Sequence, residues 1–212
     1  MEIVIIYDNT AYDPSLTPAW GFSCLINKDD TTLLFDTGAD GDILLSNMER
    51  LNIDPASMDV VALSHPHFDH IGGLESFLAV NSRAKVYFPD TGAPNLHSRA
   101  TLIRDSQELA PGIHTTGVLA FIEQSLIVEL STGIALISGC AHPGVKNILD
   151  AASDFGQVKA IIGGLHDFKD FQLLGDMDLI CPTHCTFYQD RLQEMFPEKY
   201  LQGGAGRRIY LE

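Results

Sequence analysis

The stretch "LSHPHFDHIGG", residues 63–73, places three histidines and an aspartate within six positions, where a hydrophobic run ends and two glycines follow. In an extended segment residues i and i+2 point the same way, so His65 and His67 offer two imidazoles to one ion. Pro66 between them stiffens that segment. Asp69 and His70 come as the chain turns toward a helix, and they can face a second ion close to the first. Neutral imidazole and carboxylate suit zinc, iron or manganese. The competing reading is a polar loop in which Asp69 caps a helix. The H-x-H-x-D-H spacing favours the metal.

Such a loop needs a scaffold, and the chain supplies one. Strand-like runs recur: "EIVIIYD", "GFSCLIN", "TTLLFDTG", "MDVVALSH", "AKVYFP", "VLAFIEQ", "SLIVEL", "GIALISG", "VKAIIGG" and "MDLICPT". Several are continuous apolar runs, as strands covered on both faces require. "GDILLSNMERL" repeats apolar residues at helical spacing, and "GGLESFLAVN", "GVKNILDAASDF" and "TFYQDRLQEMF" do so more loosely. The chain opens with neighbouring strands before its first helix, which points to hairpins feeding a sheet and away from a doubly wound order. The class is α/β. Four buried strands end in a histidine: His65, His142, His166 and His184. Ligand sites in α/β sheets gather beyond the carboxyl ends of strands, so one edge of a sheet is expected to converge on a metal.

The totals narrow the classes. The 212 residues suit one domain of generous size, and 45% hydrophobic residues can bury a sizeable core. A formal net charge of −15 argues against non-specific binding to nucleic acid or an anionic membrane. No apolar stretch is long enough to span a bilayer, and "MEIVIIYDNTAYD" reads as a first strand, not a signal peptide. Cys24, Cys140, Cys181 and Cys185 form no C-x-x-C pair and read as reduced thiols, which points to the cytoplasm.

"HPHFDH" followed by "IGG" resembles the signature of the metallo-β-lactamase superfamily, and further motifs follow in order. "LLFDTG" looks like its first motif, with Asp36 as the buried acid that supports the metal loop. "SGCAHPG" supplies His142, and "PTHCT" supplies His184. The resemblance runs from Ile3 to Leu211. It implies one domain over residues 1–212, a four-layer αββα sandwich of two mixed sheets with outer helices. It implies one ion on His65, His67 and His142, and another on Asp69, His70 and His184. "YDN", "GFS", "GCAHPGVKNI", "GGLH", "PTHCT" and "GGAGRRI" are similar to one branch, named after dihydropterin–aminobenzene-phosphate synthases of the methanopterin pathway. The chain departs from that branch in a shorter segment at residues 89–117, in Trp20 where a histidine often precedes "GFS", and in Phe187 after "HCT".

The superfamily usually places a bridging aspartate where "VKAIIGG" ends, and here His166 and then Asp167 stand there. An imidazole cannot bridge two ions as a carboxylate does, so His166 is read as a terminal ligand or a substrate contact, with a plain core or surface histidine as the alternative. On this reading the second ion binds more weakly than the first. His97 and His114 read as solvated, and Cys140, Cys181 and Cys185 as small packing residues. Lys146 and Asn147 open the helix after "HPG", where helix N-termini attract anions. Arg207 follows "GGAG", a loop whose amides can cradle a phosphate. These three are candidate substrate contacts. The plainer readings are a solvated first turn and a flexible tail.

The resemblance therefore implies a hydrolase that holds one or two zinc ions, with manganese or iron as alternatives, and acts on a small ester, thioester, lactone or phosphoester, including anionic ones. Metals lower the pKa of bound water and stabilise a developing oxyanion. Asp36 supports the loop from the second layer. Asp69 can take a proton, though a metal-bound carboxylate is a poor base. Two alternatives are a synthase or transferase of the branch's named type and an iron-dependent redox or oxygenase enzyme. Di-iron members usually carry glutamate where this chain has His67, which counts against the last.

Overall fold

The computed structural model describes residues 1–92 and 99–212; His97 lies outside them. Chain order is β1 (Glu2–Tyr7), β2 (Ser23–Lys28), β3 (Thr31–Phe35), α1 (Gly41–Arg50), β4 (Val60–Ala62), α2 (Phe68–Ile71), α3 (Leu74–Val80), β5 (Lys85–Pro89), β6 (Ala100–Ile103), β7 (Asp105–Ala110), β8 (Ile113–Gly117), β9 (Leu126–Leu130), β10 (Gly133–Ser138), α4 (Val145–Ala152), β11 (Val158–Gly164), β12 (Leu179–Thr183), α5 (Gln189–Met195) and β13 (Arg208–Tyr210).

Among the described residues the strands form two sheets, ordered β13-β1-β2-β3-β4-β5-β6 and β12-β11-β10-β9-β8-β7. Each is mixed in the same way. β1, β2 and β3 are antiparallel neighbours, and β3 to β6 are parallel. β7 to β10 are antiparallel, and β10 to β12 are parallel. Tight hairpins join β2 to β3, β7 to β8 and β9 to β10, whereas the parallel neighbours need crossover connections.

Alternation along the strands explains the continuous apolar runs. Ile3 and Ile5 of β1 face the second sheet, whereas Val4 and Ile6 face the helices on the outside. Side chains that alternate faces with period two produce this division. The inter-sheet core joins Ile26, Leu33 and Phe35 to Val128, Ala135, Ile137 and Ile162. Outside the first sheet, Leu44 and Met48 of α1 pack with Leu74, Phe77 and Leu78 of α3. Outside the second, Val145 and Ile148 of α4 pack with Leu192 of α5. This is the αββα sandwich.

Local chemistry sets the element ends. Asp40 caps α1 by accepting from Asp42 N at 2.8 Å and Ile43 N at 3.1 Å, a bond pattern that relieves unsatisfied first-turn donors. Asn47, buried in the middle of α1, donates to Ile6 O and Thr17 O and accepts from Thr17 N, which ties the helix to β1 and the loop after it.

Two sequence expectations change. "VLAFIEQ" is not a strand. Residues 118–124 form a tight loop closed by Leu119 N to Glu123 O and Glu123 N to Leu119 O. Its apolar residues are not alternating strand positions, for Phe121 stands 86% exposed. Strands β6, β7, β8 and β13 carry no apolar run that would announce them. Asp105–Glu108 of β7 are exposed, as suits a polar edge strand.

Candidate metal centre

β4 ends in Val61 and Ala62, fully buried, and the chain then leaves the sheet through Ser64 into the histidine loop. Thr37 just after β3 holds the far end of that loop, donating to His70 O from its backbone nitrogen at 2.7 Å and its hydroxyl at 3.0 Å. The second sheet contributes the turns after β10, β11 and β12. The histidines that end strands therefore converge from both sheets, and not along one sheet edge as expected. The chain leaves the sheets sharply: Asp36, Ala141, His166 and His184 all sit at left-handed φ between 47° and 58°. Each such residue costs about 1–2 kcal/mol, and this backbone strain is concentrated around one cleft.

The cleft gathers the imidazoles. Ring centroids lie 4.5 Å apart for His65 and His67, 4.1 Å for His65 and His70, 4.7 Å for His65 and His142, and 5.0 Å for His70 and His184. His65 and His70 are fully buried, and His67 is exposed. Asp69 Oδ2 stands 3.3 Å from His184 Nε2 and 3.9 Å from His70 Nε2. Asp69 is not a helix cap. His67 occupies the cap position of α2 without a side-chain bond, and Asp69 Oδ2 instead accepts from Trp20 Nε1 at 2.8 Å.

Packing so many rings together controls their charge. Burial drives His65 far below its ordinary range, and the neighbouring His70 and His142 add to it. Burial and the neighbouring His67 and His166 push His142 down to about 4. Burial likewise lowers His184. A neutral imidazole keeps a lone pair, which is the form a metal binds. Burial also works against a charged His70, but the Asp36 carboxylate outweighs it and raises the pKa. Asp36 Oδ2 lies 2.7 Å from His70 Nδ1, and Asp36 also accepts from Ser64 N and Ser64 Oγ at 2.7 Å each. A carboxylate on the far nitrogen of an imidazole orients the ring and strengthens its donor nitrogen. For Asp69 burial opposes ionisation, yet His184 and His70 beside it hold the carboxyl well below its usual range.

Two sets of donor atoms lie within 4.8 Å of one another: His65, Cys140 and His142, and His70, Cys140 and His184. The Nε2 atoms of His142 and His184 are buried with no hydrogen-bond partner. Unsatisfied buried nitrogens are rare, and two of them facing a cluster of lone pairs fit a divalent cation. His67, Asp69 and His166 join neither set; Asp69 lies beside the second set, and His67 beside the first. Of the three, His166 stands farthest from them. Its ring lies 5.2 Å from His142 and 5.6 Å from Phe187 at the rim, and its side chain is 41% exposed. Asp167 points outward, 72% exposed.

The surroundings hold residues that sequence reasoning missed. Cys140, read above as packing, puts Sγ 3.2 Å from His70 Nε2. The Cys185 thiol beside it and its own burial push its thiol well above the ordinary range. Glu123, buried in the loop taken for a strand, accepts from Cys140 N at 2.9 Å, Ala141 N at 3.0 Å and His142 N at 2.8 Å. Its pKa is raised by burial against those three bonds. Asp8 accepts from His184 N at 2.9 Å, and burial pushes its carboxyl up to about 6. Asn9 Oδ1 meets His184 Nδ1 at 3.0 Å, and Asn9 Nδ2 donates to His184 O. "YDN" was the signal for Asp8 and Asn9. Nothing local marks Glu123.

Of the softer candidates, Lys146 pairs with Asp150 at 2.6 Å along α4, and Asn147 donates to Pro143 O. The Arg207 guanidinium lies 4.3 Å over the Tyr12 ring. His114 meets Glu129 at 2.8 Å across neighbouring strands, away from the cleft. All four cysteines are free and buried, and Cys24 and Cys181 belong to the inter-sheet core.

A cleft lined by donors that could hold a metal, at the carboxyl ends of parallel strands between two back-to-back sheets, defines a protein of the αββα class. The chain belongs to the metallo-β-lactamase superfamily, whose sequence profile matches residues 20–152. It is 28% identical over 95% of its length to the 7,8-dihydropterin-6-methyl-4-(β-D-ribofuranosyl)-aminobenzene-5′-phosphate synthase of Methanocaldococcus jannaschii, of which it covers 93%. It is 35% identical over 46% of its length to a hydroxyacylglutathione hydrolase of Serratia proteamaculans, of which the match covers 40%. A crystal structure of a metal-dependent hydrolase of the β-lactamase superfamily superposes with a TM-score of 0.80, at 24% identity over 100% of this chain and 99% of that one. Among the described residues no helix is long and apolar enough to cross a membrane.

Proposed function

We propose that this protein is a metal-dependent enzyme that hydrolyses a small substrate of the ester, thioester, lactone or phosphoester class, anionic ones included. The observation that carries this reading is the pair of donor sets sharing one open cleft, with the buried Nε2 atoms of His142 and His184 making no hydrogen bond. A structural metal site is normally closed by four protein ligands, whereas this cleft offers more donors than one ion needs. His65, His67 and His142 would hold one ion, and Asp69, His70 and His184 the other. Bound there, zinc, or manganese or iron in its place, supplies an activated water and stabilises developing negative charge.

The chain's own residues do the remaining work. Asp36 orients His70, and Trp20 fixes Asp69. Trp20, Phe68 and Phe187 stand exposed around the cleft and would cover an organic substrate. Lys146 sits in the first turn of the helix that follows His142, and its exposed pair with Asp150 is worth only about 0–1 kcal/mol, so a substrate anion can displace it. Asn147 and Arg207 are the further candidate contacts.

The similarity to the Methanocaldococcus jannaschii synthase over nearly the whole chain favours a second reading, in which the same cleft positions a phosphate-bearing substrate for a synthase reaction. Elemental analysis of protein purified without added metal comes first. A screen of esters, thioesters, lactones and phosphodiesters follows, in parallel with an assay for the product that names that relative. Turnover in the screen supports the hydrolase, and product formation without it transfers the assignment to the synthase. His67→Ala should lose more than half of the bound metal with an unchanged circular dichroism spectrum. Full metal occupancy in that variant would remove His67 from the first site.

A further inference from the structure

We propose that Cys140 is a metal ligand shared by both ions, its thiolate bridging them. This rests on the two-ion reading above and deepens it. Among the described residues, Cys140 is common to both donor sets. Its sulfur lies 3.2 Å from His70 Nε2, and the adjacent donors Asp69 Oδ2 and His184 Nε2 stand 3.3 Å apart. Donor atoms around one tetrahedral zinc stand about 3.4–3.6 Å apart, given Zn–N of ~2.0–2.1 Å and Zn–S of ~2.3 Å. The sulfur's 3.2 Å contact, itself a hydrogen bond, is slightly shorter than that spacing, and the other donor atoms of both sets lie within 4.8 Å of it. His184, 6% exposed, has a buried Nε2 that makes no hydrogen bond and whose contact with Asp69 Oδ2 lies in the same space.

The backbone delivers that sulfur. Glu123 takes the amide hydrogens of residues 140, 141 and 142, and the left-handed turn at Ala141 lets Cys140 and His142 both reach the cleft. A side chain at Gly139 would meet Ser64 Oγ at 2.2 Å, so only glycine lets the end of β10 press against the histidine loop. Charge points the same way. The six candidate ligands named above carry one carboxylate, Asp69, against two divalent ions. His166, at the position of the usual bridging carboxylate, lies at the rim outside both sets. A thiolate between the ions supplies the missing negative charge, and soft thiolate suits zinc or iron. On binding, the S–H bond breaks, the proton passes to solvent, and the sulfur lone pairs bond to the metals.

Cobalt(II) titration of chelator-stripped protein tests this. The wild type should take two ions and develop a near-ultraviolet sulfur-to-cobalt charge-transfer band that grows through both equivalents. Cys140→Ala and the nearly isosteric Cys140→Ser should lose the band, and their second ion should bind at least about tenfold more weakly. Cys185→Ser should keep the band. Two bound ions without the band would overturn the proposal and leave the two-ion reading standing. So would a band that survives in Cys140→Ser, or one that saturates at a single equivalent. A wild type that binds no cobalt would overturn both.

Discussion

The two walls of the cleft are held by different means. On the first sheet, one carboxylate acts on side chains: Asp36 grips the Ser64 hydroxyl and the His70 ring, besides Ser64 N. On the second, carboxylates act on the main chain. Glu123 collects three consecutive amides around His142, and Asp8 takes the amide of His184. The ligands of the first wall lie on one short loop, pinned at its ends by Asp36 on Ser64 N and Thr37 on His70 O, so one carboxylate can also aim its rings. The second wall is built from turns far apart in sequence, so its backbone must be pinned before any ring can be aimed. The loop carrying Glu123 also joins the walls. Gln124 donates to Leu63 O at 2.8 Å, and its backbone nitrogen donates to Ser64 O at 2.9 Å.

If that contrast is right, breaking the second wall should damage the fold and breaking the first should damage the affinity. Glu123→Ala strands three buried amides, and we expect it to destabilise the metal-free protein by about 3–5 kcal/mol. Urea unfolding of the stripped protein measures this. A loss below about 1 kcal/mol, the size expected of one ordinary hydrogen bond, would mean that the amides find other partners. Asp36→Asn keeps an acceptor for Ser64 but removes the charge behind His70. Metal affinity should fall about 10–100-fold, with a smaller loss of stability than in Glu123→Ala. Equal destabilisation in the two variants would erase the contrast. The smallest effect is expected from Trp20→Phe. It removes the 2.8 Å bond to Asp69 and keeps an aromatic edge against His184. Competitive metal titration should show a loss of about 2- to 13-fold, the range that 0.5–1.5 kcal/mol for one hydrogen bond allows. A loss as large as that of Asp36→Asn would make Trp20 a main support of the second site.

How much of this the sequence discloses depends on distance along the chain. His65, His67, Asp69 and His70 are legible because their spacing is itself the geometry: alternate residues of an extended segment, then the first turn of a helix. Asp36, His142 and His184 are legible because each follows a buried apolar strand, and strand ends are where sites gather. Apolar runs that need cover on both faces give the α/β class, and the motif resemblance gives the sandwich. Glu123 and Cys140 are different. Glu123 sits in a short apolar segment whose composition matches a strand, and its partners lie 17 to 19 residues away. Cys140 meets His70 across 70 residues. A small buried cysteine and a buried acid take their chemistry from what packs against them, and no local spacing encodes that. Only the closing of one sheet on the other brings the sulfur to His70 and the three amides to Glu123.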